Sequence, residues 1–376
     1  MHSVFVVRFF LLGCFLIGFN FSLVGDDLDV GIYWYGPNGS YQKALPNTPN
    51  PYFDKDKPTI IYIHGLNTDA MPDRSHESFL YQENYTHDTI NIDTAAIWRK
   101  KGWNIGAFYW RQFADEAIVW DAEAKIWSIY GYQGMRQRRV DGSYFVDPNI
   151  NKTVTQMFYE SFVEAMQGYR GNNIRFAGNS LGNQLAITTA NMIRINFRSN
   201  NLPYNLLPSR IALLDPYYSF GGKHYLNWRW PGEIAREYVR ALRDEGVVFE
   251  HYGSSLVQHG GDSNIGLRNL SAQQELRPWF IDALDIGAKH TASTKIYFSS
   301  FNNSPPKEVK YGAWVGPWYF RYWDPYKKVY TGEYALSAST PDERVDQMMR
   351  NDYYWDQVAG RYTFSTHDDE FERKWK

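Results

Sequence analysis

The sequence predicts an α/β fold built on a mostly parallel, doubly wound sheet. Short apolar runs rich in β-branched residues are typical of strands covered on both faces, and three stand out: Thr59–Ile63, Ile174–Ala177 and Arg210–Leu214. Amphipathic helical segments lie between such runs, and strand and helix alternate with short loops at the strand ends. That alternation is typical of a parallel sheet with helices on both faces.

Size and composition narrow the class of protein. A chain of 376 residues accommodates one large α/β domain with extensions, or two ordinary domains. Its 39 basic and 41 acidic residues nearly balance, so no basic field indicates a nucleic-acid partner. The hydrophobic share of 44% and the aromatic share of 18% indicate a packed globular protein, not a disordered one.

The first 25 residues differ from the rest. They carry one charge, Arg8, followed by an apolar core from Phe9 to Phe19, and Asp26 and Asp27 come next. We predict a secretory signal peptide removed near Gly25, which implies an extracellular protein. A single N-terminal membrane anchor is the alternative, because the apolar run is nearly long enough to span. The one cysteine, Cys14, lies in this segment, so the mature chain would have no disulfide.

The elements follow in order from there. A short strand is expected at Val30–Tyr35, and buried strands at Thr59–Ile63 and Asn104–Trp110. Residues 112–152 show no clear period and are interpreted as an insertion. Apolar residues at i, i+3 and i+4 spacing then predict a helix over residues 154–169.

The second half continues the pattern. After the strand at Ile174, helical or strand patterns predict a helix at 181–195, a strand at 210–214, a helix at 233–244, a strand at 246–254, and helices at 276–287 and 341–350. We assign residues 26–310 to the main domain. Nine of the twenty residues from Tyr311 to Tyr330 are aromatic. We expect residues 311–376 to form a small subdomain packed on the sheet, not a separate lipid-binding domain.

The chain is organised around the segment Gly178-Asn179-Ser180-Leu181-Gly182. A strand precedes it and a helix follows, which is the context that a G-x-S-x-G nucleophile elbow requires. Side chains at the two glycines would clash with the neighbouring strand and helix in so tight a turn. Ser180 would then project at the end of the sheet; an ordinary serine in a glycine-rich loop is the alternative.

Two further residues complete a catalytic set. Asp215 and His290 follow Ser180 in the chain order found in α/β-hydrolases. A serine hydroxyl needs a base to take its proton, and histidine suits this because its pKa is near neutral. An acid behind the histidine fixes its tautomer. The amides of Leu181 and Leu66 are the expected oxyanion donors.

Other residues compete for these roles. Asp262 is the rival acid, and Asp215 has the alternative role of an Asp-Pro turn former. The rival bases are four other histidines, His251, His259, His224 and His367. His64 is expected to be structural and to hydrogen-bond the backbone of the oxyanion loop. No H-x-x-x-H or C-x-x-C spacing supports a metal site, and no cofactor is expected.

The set His64-Gly65, Trp110-Arg111, Gly178–Gly182, Leu214-Asp215-Pro216 and His290 resembles the pancreatic-type lipases over roughly residues 57–304. In that family the acid follows the sixth strand within L-D-P, and the histidine precedes a helix that ends in aromatic residues, which Lys295–Phe298 resembles. The resemblance implies an α/β-hydrolase fold, with Ser180 as nucleophile, Asp215 as acid in preference to Asp262, and His290 as base. The chain departs from the family in having Asn179 where histidine is usual, in lacking disulfides, and in having no recognisable C-terminal β-sandwich.

We therefore expect a secreted serine hydrolase acting on a lipid or other apolar ester, with no obligate protein partner. The insertion at 112–152 is a candidate lid or substrate-selecting cap. Its aromatic residues, Trp120, Trp127, Tyr130 and Tyr132, could contact a lipid interface or pack within the insertion itself. A catalytically silent lipid-binding or storage protein and an acyltransferase with the same triad are the alternative functions.

Overall fold

A computed structural model describes residues 28–376. The signal peptide or anchor predicted at residues 1–25 lies outside the described residues. The strands are, in chain order, β1 Gly31–Tyr35, β2 Tyr41–Lys43, β3 Thr59–Ile63, β4 Leu80–Asn84, β5 Thr89–Asp93, β6 Asn104–Tyr109, β7 Gln137–Arg138, β8 Tyr144–Phe145, β9 Ile174–Asn179, β10 Arg210–Leu214, β11 Val248–Gly253, β12 Ala272–Glu275, β13 Lys307–Val315, β14 Tyr322–Tyr334, β15 Tyr353–Ala359 and β16 Glu370–Trp375.

Ten α-helices in this part of the chain connect and flank the strands. They are α1 Thr94–Lys100, α2 Arg111–Ala114, α3 Val119–Trp127, α4 Val154–Ala165, α5 Gly182–Arg198, α6 Pro231–Arg243, α7 Val257–Gly260, α8 Ile265–Arg268, α9 Ile286–Ser300 and α10 Asp342–Met349. None of the helices described between residues 28 and 376 is long and apolar enough to cross a membrane.

Twelve strands form one sheet, in the order β14-β13-β16-β15-β12-β11-β10-β9-β3-β6-β1-β2. All neighbours from β15 to β6 pair in parallel, whereas β1 and β2 pair antiparallel at one edge. The α/β-hydrolase fold predicted from the sequence is thus confirmed. Counting the strands of this sheet along the chain, β9 is the fifth and β10 is the sixth.

Strand β9 lies between β3 and β10, and all three are buried along their length. Phe176 is opposite Ile61 on one side and Ile211 on the other. The same register aligns Gly178 with Ile63, and Asn179 with Leu214. Since the three strands end together, the residues after them meet at one edge of the sheet.

Some elements differ from those expected. The helix predicted at 276–287 is wrong, because residues 276–285 are irregular and α9 begins at Ile286. Asp285 caps this helix by accepting a hydrogen bond from the Ala288 amide at 2.9 Å. The hairpin β4–β5, helix α1 and strand β12 were not predicted. Strand β12, with the sequence Ala-Gln-Gln-Glu, is buried without an apolar run.

The C-terminal extension continues the sheet instead of packing on it. Strand β15 pairs in parallel with β12, β16 pairs antiparallel with β15, and the hairpin β13–β14 forms the sheet's last two strands. The charged helix expected near residues 341–350 is present as α10. The aromatic residues of the extension therefore lie mainly on an edge hairpin.

Candidate active site

Ser180 occupies a tight turn between β9 and α5. Its φ of 55° lies in the left-handed region, which a non-glycine residue adopts only when its surroundings enforce it. A Cβ on Gly182 would collide with the carbonyl oxygen of Ile63, and one on Gly178 with that of Gly182. Both glycines are thus required by close backbone approach, as the motif predicts.

The segment after β3 lies directly against this turn. A Cβ placed on Gly65 would be 2.5 Å from the Cβ of Ser180 and 2.8 Å from the carbonyl oxygen of Asn179. Among residues 28–376, the amides of Leu66 and Leu181 donate no hydrogen bond. Leu181 precedes the first residue of α5, where backbone N–H groups have no intrahelical partner. Both amides are free to donate to a ligand.

His64 holds the Gly65 segment in place and does not face the reacting groups. Its Nδ1 hydrogen-bonds the Gly65 carbonyl at 2.9 Å, and its Nε2 accepts from the Trp110 amide at 3.1 Å. The Trp110 indole donates in turn to the His64 carbonyl at 2.9 Å. Burial lowers the pKa of His64 to about 4, so the ring is neutral and can accept from Trp110. This is the structural role expected from the sequence.

Asp215 follows β10 at the same edge and is fully buried. Its Oδ1 accepts hydrogen bonds from the amides of Ser254 at 2.8 Å and Ser255 at 3.1 Å. Its Oδ2 accepts from the Ser255 hydroxyl. These bonds compensate the burial of a carboxylate. Sequence reasoning missed Ser254 and Ser255, although a serine pair just after a buried strand is well placed to donate at the sheet edge.

His290 lies in the second turn of α9, with its side chain 14% exposed. Its Nδ1 is 2.6 Å from Oδ2 of Asp215. Since an ionised carboxylate only accepts, His290 donates through Nδ1, and its Nε2 is left able to accept a proton. Asn179 Nδ2 donates to the His290 carbonyl at 3.3 Å and to the Leu214 carbonyl at 3.1 Å. The residue that departs from the lipase pattern thus bridges β9, β10 and α9.

The rival residues lie elsewhere. Asp262 accepts from the Asn264 amide at 2.9 Å and sits beside Gly232 at the start of α6. His251 is buried within β11, and its Nδ1 has no partner in the described chain. His224 contacts the carbonyl of Tyr130 at 3.2 Å, while His367 is exposed and hydrogen-bonds Ser365. None of these, nor His259, is hydrogen-bonded to Asp215 among residues 28–376.

Within the same residues, the Ser180 hydroxyl makes no hydrogen bond, including none to His290. Ser180 is 7% exposed, so it is largely buried at the sheet edge. Hydrogen bonds of a nucleophile to its base often tighten only when substrate is bound. The arrangement provides a histidine oriented by a buried acid, a strained serine turn and two unpaired amides.

Part of the insertion is bonded to this edge. Glu123 of α3 has no exposed surface and accepts from Gln184 Nε2 at 2.7 Å and from the Ser219 amide at 3.0 Å. The Trp127 indole donates to Gln184 Oε1 at 2.6 Å. Gln184 lies in the first turn of the elbow helix, and Ser219 lies four residues after Asp215. Helix α3 is therefore tied both to α5, which follows Ser180, and to the segment that follows Asp215.

A second buried cluster holds the insertion together. Lys125 Nζ is 2.6 Å from Glu116 Oε1, and neither side chain is exposed. Arg136 Nε also donates to Glu116 Oε1, at 2.8 Å. The Asp115 carboxylate accepts hydrogen bonds from the amides of Asp69 at 2.8 Å and Met71 at 2.9 Å. These two residues follow Leu66 in the loop after β3. No cluster of His, Cys, Asp or Glu among the described residues could hold a metal ion.

Comparison with known proteins yields little. No protein-family model and no curated protein matches the chain. Among solved structures, the chain is similar to an inhibited esterase B from Lactobacillus rhamnosis, with 14% identity and a TM-score of 0.26. The match covers 61% of this chain and 65% of the esterase chain. A TM-score this low establishes nothing further, and the fold assignment rests on the strand order and pairing of the chain itself.

Proposed function

We propose that this protein is a serine hydrolase that cleaves carboxylic esters. Ser180 is the nucleophile, His290 the general base and acid, and Asp215 the buried acid that orients the histidine. The observation that carries the proposal is the 2.6 Å contact of His290 Nδ1 with Asp215 Oδ2 at the edge where the Ser180 turn ends β9. The pancreatic-type lipase resemblance supports the same three residues.

The proposed reaction has two halves. His290 Nε2 takes the Ser180 proton as Oγ attacks the ester carbonyl, and the carbonyl oxygen becomes an oxyanion. The amides of Leu66 and Leu181 stabilise that oxyanion. The intermediate expels the alcohol, which takes the proton from His290, and an acyl-enzyme remains. Water then attacks this ester with His290 again as base, which releases the carboxylic acid and restores Ser180.

We further propose that the substrate is a lipid or another apolar ester, and that residues 112–138 form a fixed cap beside the site. Trp120, Tyr130 and Tyr132 are 49%, 77% and 59% exposed. Trp127, by contrast, is tied to Gln184. Opening this segment as a lid would break the hydrogen bonds that buried Glu123 accepts from Gln184 and Ser219. Each buried polar group left without its partner costs about 1–3 kcal/mol, which favours the cap over the moving lid.

Secretion by way of the N-terminal segment is part of the same proposal. Expression of the full chain, followed by N-terminal sequencing of protein in the medium, tests it. A new N-terminus near residue 26 is expected. Retention of the intact chain in the membrane fraction would favour the anchor.

The proposed activity is tested with p-nitrophenyl esters of increasing acyl length. Wild type should hydrolyse them, with a preference for longer chains, and Ser180→Ala should lose at least about 10³-fold in kcat. The matched control is Ser199→Ala, which changes an exposed serine at the C-terminal end of α5. This variant should keep wild-type activity. No hydrolysis of any ester by folded wild type would favour the silent binding protein.

The acyltransferase alternative uses the same acyl-enzyme with another acceptor. Product analysis in the presence of an added alcohol separates the two. Free carboxylic acid as the main product supports hydrolysis. A new ester formed in preference to free acid, and lost in Ser180→Ala, would support transfer instead.

A further inference from the structure

The hairpin β13–β14 carries an unusual set of exposed aromatic side chains. We define its aromatic tip as Trp314, Trp318, Tyr319, Phe320, Tyr322 and Trp323, whose exposed fractions range from 48% to 87%. The most exposed, Trp318 at 87%, lies in the turn itself. Contiguous exposed apolar surface of this kind marks a site of contact, because a soluble monomer rarely leaves it uncovered.

The tip has a defined conformation. The Phe320 amide donates to the Pro317 carbonyl at 2.9 Å and closes a turn. Gly316 has a φ of 99°, and a Cβ there would collide with the Phe320 carbonyl. Trp314 and Trp323 are directly paired, with their ring centroids 5.8 Å apart. The aromatic side chains are thus presented on an ordered ribbon.

Both faces of this ribbon present exposed aromatic side chains. Trp314 and Trp323 share one face, while the next pair, Val315 and Tyr322, is on the other because side chains alternate along a strand. A flat partner, such as a polysaccharide chain, covers one face only. Insertion into a lipid interface covers both faces and the turn together, and Trp and Tyr are the residues enriched at such interfaces.

The charged residues around the aromatic tip indicate that the lipid surface it contacts is anionic. Arg321 is the sole charged residue between Trp314 and Trp323, and Asp324, which pairs with Ala313, is the first acidic residue behind them. Lys310 in β13 and Lys327 in β14 lie further from the turn. Among residues 28–376, none of Lys310, Arg321 and Lys327 forms an ion pair. Tyr311, the neighbour of Lys310, is four residues from the end of β13 at Val315, which is about 14 Å along the strand. Lys310, Arg321 and Lys327 outnumber Asp324 at this end of the hairpin, and these cations are placed to meet anionic headgroups while the rings insert.

Association with a second copy is less consistent with the strand. Strand β14 forms the sheet edge, and its middle contains Pro325, Lys327 and Lys328. Proline lacks the N–H donor that pairing requires, and lysines on an edge oppose edge-to-edge association.

We propose that the β13–β14 hairpin is a membrane-contact element that inserts its aromatic tip into the interface of an anionic phospholipid bilayer. This surface is separate from the insertion at 112–152, for whose aromatic residues the sequence left lipid contact and internal packing as alternatives. The proposal does not depend on the ester-hydrolase activity, since it concerns binding alone.

Vesicle co-sedimentation measures the binding. The full chain carrying Ser180→Ala, so that no lipid is consumed, is mixed with phosphatidylcholine vesicles with and without about 30% phosphatidylserine. Binding should be stronger with phosphatidylserine, and Trp318→Ala/Phe320→Ala should weaken it at least about tenfold. The matched control Tyr130→Ala/Tyr132→Ala removes exposed aromatics of the insertion and should not change it.

A site-resolved measurement makes the test independent of the N-terminal segment. Tyr319→Cys, in a Cys14→Ser background, is labelled with an environment-sensitive dye, and the control label is placed by Tyr130→Cys. Anionic vesicles should shift the emission of the Tyr319→Cys label to the blue and leave the control unchanged. The proposal is overturned if neither the shift nor the tip-dependent sedimentation occurs. Tip-dependent binding to insoluble polysaccharide without vesicle binding would also overturn it.

Discussion

Replacement of Asp215 by asparagine is the most informative change to the proposed site, because the structure dictates how the new amide must orient. Oδ1 of Asp215 accepts two backbone amides, those of Ser254 and Ser255, which cannot reverse their polarity. Oδ2 faces the Ser255 hydroxyl and His290 Nδ1, both of which can adapt. The asparagine NH₂ will therefore replace Oδ2 and point at His290.

The consequence for catalysis follows from the tautomer. An NH₂ group facing Nδ1 requires that nitrogen to be an acceptor, which moves the ring proton to Nε2. His290 can then no longer take the Ser180 proton. In a serine protease triad, the same exchange lowers kcat by about 10⁴, equivalent to about 5 kcal/mol in activation free energy. We expect a loss of that order here, with little change in KM.

The assay is the kcat for a p-nitrophenyl ester, measured for Asp215→Asn beside Asp262→Asn. Asp262 accepts a local loop amide and does not contact His290, so its asparagine variant should keep wild-type kcat to within about threefold. The reasoning is refuted if Asp215→Asn loses less than about tenfold, or if Asp262→Asn is the inactive variant.

Three further changes test the supporting structure. Glu116→Gln should destabilise the fold by about 3–5 kcal/mol in urea unfolding, since it leaves the buried Lys125 uncompensated; the half-exposed pair removed by Asp54→Asn should cost less than about 1 kcal/mol, and equal costs would contradict the role of burial. Gly182→Ala should abolish activity or folding because its Cβ meets the Ile63 carbonyl, whereas Gly260→Ala, with open space around it, should be tolerated. Burial holds the pKa of His64 at about 4, below its ordinary 6.5, so the unfolded chain binds the proton first and stability falls as pH drops below 6.5. His64→Gln should remove roughly 2 kcal/mol of the stability lost between pH 7 and pH 5, and an unchanged pH dependence would show that His64 does not contribute.

The sheet's centre was predictable from sequence because its strands carry continuous apolar runs. Thr59–Ile63 and Arg210–Leu214 have the predicted bounds. Strand β12 escaped prediction because it is buried through polar side chains: Gln274, for example, exchanges hydrogen bonds with the Leu336 backbone. Such a partner, 62 residues away in sequence, leaves no periodic signal. The residue pattern placed a helix at 276–287 instead of at α9 for a related reason, since α9 is buried over much of its length without an apolar stripe. Only the resemblance implied a helix at Lys295–Phe298.

For the site, the sequence indicated the serine turn and preferred Asp215 as the acid, with Asp262 kept as its rival. The resemblance favoured Asp215, which is the acid in contact with His290. The groups that support these residues were not predictable. Ser254 and Ser255 belong to a loop after another strand, and Glu123 reaches from the insertion to Ser219. These contacts depend on register and long-range packing, which a single sequence does not encode in any local pattern.

The central claim is that Ser180 is an activated nucleophile, and labelling with a fluorophosphonate probe tests it most directly. The probe phosphonylates a serine only where a base and an oxyanion site activate the hydroxyl. Wild type should be labelled, while Ser180→Ala should not and His290→Ala should react far more slowly. Asp262→Asn should be labelled like wild type. An unlabelled but folded wild type, or undiminished labelling of Ser180→Ala, would contradict the account.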